Sequence, residues 1–195
     1  LTITGNVVFG NENEGTASAH DGLILMSAGS IDLSGADKIS YAGDHLGIGA
    51  MDTVEVIDVD LEAVGEVSVR SLDSLVIENS AMRTTGNGAA DFVHLRAFEE
   101  ISANNLVFSE NVKRIVMEAM TINLYNINFP SGSQVNLNSA YGPLDGMYPT
   151  FGSQNQKYGR VNFIENIKYG SLLLNNRAAF NTHLNNGGGI TIGTK

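Results

Sequence analysis

The stretch LRAFEEISA, residues 95–103, decides the fold, because chemically similar segments return along the chain. Upstream stand LMSAGSIDL (25–33), IGAMDTVEV (48–56) and VRSLDSLVI (69–77). Downstream stand VMEAMTINL (116–124) and a decayed LNSAYGPLD (137–145). Taken alone, residues 95–103 mimic an amphipathic helix, since Phe98, Glu99 and Glu100 interrupt the alternation. Taken together, the copies share one frame beginning at Leu25, Ile48, Val69, Leu95, Val116 and Leu137, at spacings of 23, 21, 26, 21 and 21.

The frame column is aliphatic throughout. Two residues earlier come Leu23, Leu46, Val67, Val93, Arg114 and Val135; two later come Ser27, Ala50, Ser71, Ala97, Glu118 and Ser139. A period of two marks a strand with one buried face. Six residues after the frame stand Ile31, Val54, Leu75, Ile101, Ile122 and Pro143. Eight after it stand Leu33, Val56, Ile77, Ala103 and Leu124, a second strand. A third pair follows at Val59 and Leu61, Leu106 and Phe108, and Ile127 and Phe129, with Ser80 and Met82 in the third repeat.

Three short strands cannot enclose a core by themselves. If the chain coils, each strand pairs in parallel with its equivalent one turn later, ~4.8 Å away, and like residues stack on like. No connection has room for a crossover helix. The expected fold is therefore all-β: a single parallel β-helix, or β-solenoid, with three short strands per turn of about 21 residues. The crossover rule makes it right-handed. Residues 1–20 are assigned to an N-terminal strand and loop, 21–140 to about six rungs, and 141–195 to an irregular C-terminal cap or assembly segment. Within that last segment, 161–170 and 189–194 look like strands and 172–183 like a short helix. Ten residues after the frame come Gly35, Asp58, Asn79, Asn105 and Asn126. Asn and Asp tolerate the left-handed backbone of a tight corner. Stacked in adjacent turns, Asp58, Asn79, Asn105 and Asn126 form a candidate hydrogen-bonded ladder.

Composition narrows the function. The chain has 195 residues, no cysteine and no tryptophan, and a formal net charge of −10. That charge repels a nucleic-acid backbone. No disulfide framework or thiolate metal site is possible. No apolar run approaches the ~20 residues that span a bilayer. Polarity comes from Asn, Ser, Thr and Gly, a habit common in extracellular all-β proteins, and the start at Leu1 reads as that of a processed or excised segment.

The repeat, the Asn-rich corners and the cysteine-free composition resemble right-handed β-helix exoproteins, a broad group that includes filamentous-haemagglutinin-like adhesins and autotransporter passengers. The resemblance spans roughly residues 20–140. It implies secretion to the cell surface and a structural or adhesive role.

Polysaccharide lyases and hydrolases also use this fold, so its acidic and histidine residues are candidates for catalysis. Asp58, Asp60 and Glu62 alternate on one face about 7 Å apart, a spacing compatible with oxygen ligands for calcium or paired carboxylates. Their other reading is a solvated face with no basic neighbour in the frame. Asp52, Asp73 and Glu99 share a corner column, with Arg70 and Arg96 three residues before the latter two as partial compensation. His20, His45, His94 and His183 share no metal spacing, and no hydrolase or phosphate-loop motif occurs. No catalytic residue, cofactor or enzymatic activity is assigned. The expected function is a structural building block whose partner is a second copy, joined head to tail through Leu1, Ile3, Val7, Val8, Phe9, Ile190 and Ile192. The alternative is a carbohydrate-active or glycan-binding β-helix.

Overall fold

The computed structural model describes residues 1–9, 22–86, 91–130 and 133–138, together with seven short backbone strands between 140 and 182. The first strand, β1 (Thr2–Phe9), is followed by β2 (Gly22–Ser27) and a long β3 (Ile31–Tyr41). Three regular turns come next. They are β4 (His45–Ala50), β5 (Val54–Ile57) and β6 (Asp60–Ala63); β7 (Glu66–Ser71), β8 (Ser74–Glu78) and β9 (Ala81–Thr84); and β10 (Phe92–Arg96), β11 (Glu100–Asn104) and β12 (Val107–Phe108). Then follow β13 (Arg114–Glu118), β14 (Thr121–Tyr125) and β15 (Gln134–Asn138). No helix occurs among the described residues.

The strands pair as a coil requires. One sheet runs β2-β4-β7-β10-β13-β15, each neighbour parallel and one turn apart. The second and third strands of each turn join one larger sheet, because β3 pairs with both β5 and β6. The protein is a parallel β-solenoid of about five turns, with equivalent residues about 22 apart. Its core is a stack of aliphatic columns. Leu46, Val67, Val93, Ile115 and Val135 are all fully buried, as are Val54, Leu75, Ile101 and Ile122. Burying one such side chain stabilises the fold by about 1.5–3 kcal/mol.

The fifth turn departs from the expected frame by one residue. Leu95 pairs with Met117, and Met117 with Leu137, so the column contains Met117 and not Val116. The residue two places earlier is then Ile115, and Arg114 lies outside the core. The corner between β13 and β14 is one residue shorter than that between β10 and β11, which a constant count from Ile122 conceals. With the shift, the two charged intruders, Arg114 and Glu118, leave the inward columns.

Corners are set by backbone geometry. Asp58, Asn79, Asn105 and Asn126 all have positive φ, between 48° and 57°. Their amides still reach across turns: those of Asp58, Asn79 and Asn105 donate to the carbonyls of Glu78, Asn104 and Tyr125. Asn105 Nδ2 donates to Asn79 Oδ1 at 3.0 Å, whereas Asn126 Nδ2 reaches Asn104 Oδ1 at 3.4 Å, one residue aside. In the first turn this position is Gly35, which is not in the left-handed region; β3 is continuous through it, and its buried residues shift there from Ile31 and Leu33 to Ala36 and Ile39. A Cβ on Gly35 would lie 2.7 Å from Thr4 Cγ2, because β1 lies directly over β3. Ser80 occupies an aliphatic column yet is satisfied. Its hydroxyl accepts from the Val59 amide at 3.1 Å and donates to the Glu78 carbonyl at 2.7 Å.

Beyond β15 the chain makes an excursion, then resumes coiling. The excursion holds β16 (Ala140–Tyr141), β17 (Leu144–Asp145), β18 (Tyr148–Pro149) and β19 (Lys157–Tyr158), in two small antiparallel pairs. Afterwards β20 (Arg160–Glu165) pairs in parallel with β14, β21 (Ser171–Leu174) with β15, and β22 (Ala179–Thr182) with β20. Val161 thus fills the register position expected of Pro143, and two strands replace the expected helix at 172–183. The strand expected at 189–194 lies outside the described residues.

Two substitutions test the register. Met117→Ala is expected to cost about 2–5 kcal/mol, as for other buried large-to-small changes. Arg114→Ala, which removes only a cation lying over the Phe92 ring at 5.1 Å, is expected to cost less than about 1 kcal/mol. Denaturant unfolding of both variants measures the contrast. At a corner, Asn105→Ala is expected to lose about 1–2 kcal/mol, the cost of a left-handed residue bearing a Cβ, while Asn105→Gly loses less in the same assay.

Candidate functional site

The seven-stranded sheet formed by β2, β4, β7, β10, β13, β15 and β21 has an outer face made of three columns. From the first turn to the fifth these read Gly22, His45, Glu66, Phe92, Arg114; Ile24, Gly47, Ser68, His94, Val116; and Met26, Gly49, Arg70, Arg96, Glu118. The face divides into two halves.

The lower half is a charge network. His94 Nε2 lies 3.1 Å from Glu118 Oε2, and Arg96 Nε lies 3.4 Å from the same oxygen. These side chains are only 14–19% exposed, so the pairing is sheltered from solvent. The rings of Phe92 and His94 meet with centroids 5.4 Å apart.

The upper half is an apolar groove of about 530 Å³. Its floor is the backbone of Gly47 and Gly49, and its walls are Ile24, Met26, Met51 and Leu72. Ile24 and Met26 are 60% and 58% exposed, unusual for apolar side chains on a sheet. The glycines create the depression: a Cβ at Gly49 would sit 2.7 Å from Met26 Sδ. Arg70 lines the groove, and its buried Nε has no hydrogen-bond partner. At the other end Ser68 Oγ lies 2.8 Å from His45 Nε2, with Glu66 Oε1 at 3.7 Å from that nitrogen.

The acidic residues singled out in the sequence lie on the opposite sheet and are dispersed. Asp58 forms a corner. Asp60 pairs with Arg83 at 3.1 Å and Glu62 with Lys38 at 2.9 Å, so cations from neighbouring turns do stand beside this group. The register places them there, since Lys38 faces Asp60 and Arg83 faces Glu62. Among the described residues no three His, Cys, Asp or Glu side chains gather as a metal site. In the corner column, Asp73 accepts a hydrogen bond from the Thr53 hydroxyl at 3.2 Å.

The N-terminal candidates divide by the alternation of β1. Ile3 and Val7 pack inward against the core, while Leu1 and Val8 are exposed. For Phe9 only the backbone in β1 is described, and Ile190 and Ile192 lie outside the described residues. The Leu1 nitrogen donates to the Ser30 carbonyl at 2.9 Å. Nearby, the Asp32 carboxyl is held below its usual range by the Ser34 hydroxyl and then by the Ser34 amide at 2.8 Å.

Sequence reasoning missed the groove. Its signal was there: Gly47 and Gly49 alternate with the buried Leu46, Ile48 and Ala50, where a strand's outer face ordinarily carries side chains. Fold and surface together define a parallel β-solenoid with a shaped lateral face. The chain matches no protein-family model, and no curated protein or solved structure shows significant similarity to it.

Removing the acid of the sheltered network tests its contribution. Glu118→Gln is expected to lower stability by about 1–3 kcal/mol, since the sheltered Arg96 guanidinium loses a charged partner. Asp60→Asn, in a pair 40% exposed on both sides, is expected to change stability by less than about 1 kcal/mol. Thermal or denaturant melts of the two variants give the comparison.

Proposed function

We propose that this chain is a structural building block of a cell surface or extracellular assembly, in which solenoids associate head to tail. The supporting observation is the condition of the coil's ends. Among the described residues, β2 and β1 at the N-terminal end each pair on one side only, and β21 and β22 do so at the other end. All these strands belong to parallel ladders, so one molecule's last rung has the polarity to add beneath another's first. An unpaired edge of this kind is a template for strand addition, and a contact between unlike ends propagates unless it closes into a ring. Val8, 65% exposed on β1, adds apolar surface at one end.

The extracellular setting rests on the cysteine-free, Asn- and Ser-rich composition and on the resemblance to β-helix exoproteins. A glycan-binding role has less support, because the groove lining carries no Phe, Tyr or Trp ring on which a sugar could stack.

Association should oppose the repulsion of chains carrying a net charge of −10. Raising the salt shortens the Debye length from about 10 Å at 0.1 M to about 3 Å at 1 M. Oligomers seen by light scattering and electron microscopy are therefore expected to lengthen with salt, and Val8→Lys to shorten them. A monomer at high concentration in both salts would defeat the proposal.

A further inference from the structure

We propose that the lateral groove binds a small monomeric ligand consisting of an aliphatic chain that ends in a carboxylate, with Arg70 receiving the carboxylate. This reading is independent of head-to-tail assembly. It begins with the charge arrangement along one column. Arg70 and Arg96 are directly paired in register, two guanidinium groups one rung apart. Arg96 has Glu118 on its far side, at 3.4 Å. Arg70 has Gly49 on its other side, which offers no side chain at all. Arg70 forms no ion pair among the described residues, and its Nε is buried without a hydrogen-bond partner. A buried guanidinium donor left unsatisfied is costly, and a planar fork of donors fits a carboxylate bidentately.

The body of the ligand follows from the rest of the lining. Ile24, Met26, Met51 and Leu72 present aliphatic and thioether surface above a glycine floor. Thioether side chains adapt to flexible apolar partners. The volume of about 530 Å³ lies within the usual range for small-molecule sites. An acyl chain fits this lining without demanding the ring stacking or dense hydrogen bonding that a sugar would. The exposed Ile24 and Met26 gain burial when the chain enters, which supplies the driving force. The overall acidity of the protein opposes an anion at long range, but salt screens that repulsion within about 10 Å, and the groove lining itself carries Arg70 and no carboxylate.

The test is titration calorimetry of the full chain with decanoate and with decan-1-ol, below the concentration at which either aggregates. Saturable one-to-one binding of decanoate, at least tenfold tighter than decan-1-ol, is expected. Arg70→Gln is expected to erase that preference, and Ile24→Asp to abolish binding of both. Ile24 is mostly exposed, so this variant should keep the native circular dichroism and melting temperature. Absence of saturable decanoate binding overturns the proposal. So does equal affinity for acid and alcohol, or undiminished decanoate binding by folded Arg70→Gln. Since the readout is stoichiometry per chain, its failure leaves the assembly proposal untouched, and a monomeric protein that binds decanoate separates the two in the opposite sense.

Discussion

Every element of this molecule depends on one constraint: a turn of the coil has no core until another turn lies against it. Leu95 is buried because Val69 and Met117 stand on either side of it in register. The same holds along each column, so hydrophobic burial and the backbone ladder reinforce one another at each step. The corner residues protect this arrangement. A left-handed Asn or Asp turns the chain while its amide continues to donate to the next turn. The ladder therefore passes through the bend as well as along the faces. At Gly35, where the left-handed residue is missing, β3 continues unbroken and β1 pairs along it as its neighbour. Among the described residues, the first turn is thus capped from outside on one sheet and left open on the other, at β2.

The period of the coil was legible in the sequence because burial demands like residues at like positions. Columns such as Val54, Leu75, Ile101 and Ile122 can be read directly. Two features broke the reading, both being changes in chain length between columns. A corner shortened by one residue moved the fifth turn's first strand from Val116 to Met117. The excursion between β15 and β20 displaced the next equivalent from Pro143 to Val161. Counting assumes a constant spacing, whereas the fold conserves only the register. Arg114 and Glu118, at positions otherwise aliphatic or small, were the physical warning, since an unpaired charge in such a column would be prohibitively costly. At 172–183 a short apolar run followed by Asn and Ala has no period strong enough to separate helix from strand; pairing onto β15 and β20 decides it.

The outer surface was far less legible. Its partners are separated by a whole turn in sequence, so Lys38 and Glu62, or His94 and Glu118, become neighbours only once the register is fixed. The acidic run at residues 58–62 looked isolated because its cations come from the turns above and below it. Conversely, the groove arises from what two residues lack. Glycines at 47 and 49 look like weak points in a strand when read along the chain, but across the sheet they are the floor between side chains of neighbouring turns.

A solenoid offers two geometrically distinct kinds of surface, and this one specialises them differently. Along the axis, the ends present backbone donors and acceptors, which any strand of suitable polarity can satisfy. Across the axis, the faces present side chains, which select by shape and charge. Strand β2 belongs to both: its free edge faces along the axis, while Ile24 and Met26 project laterally over the glycine floor. A strand added to that edge would continue the sheet and set its own outward side chains beside Ile24 and Met26. Axial growth would then lengthen the wall of the groove without filling it. Association through the ends then draws on the backbone edge of β2 and ligand capture on its outward side chains, and a filament of such units would keep one lateral groove for each molecule it contains.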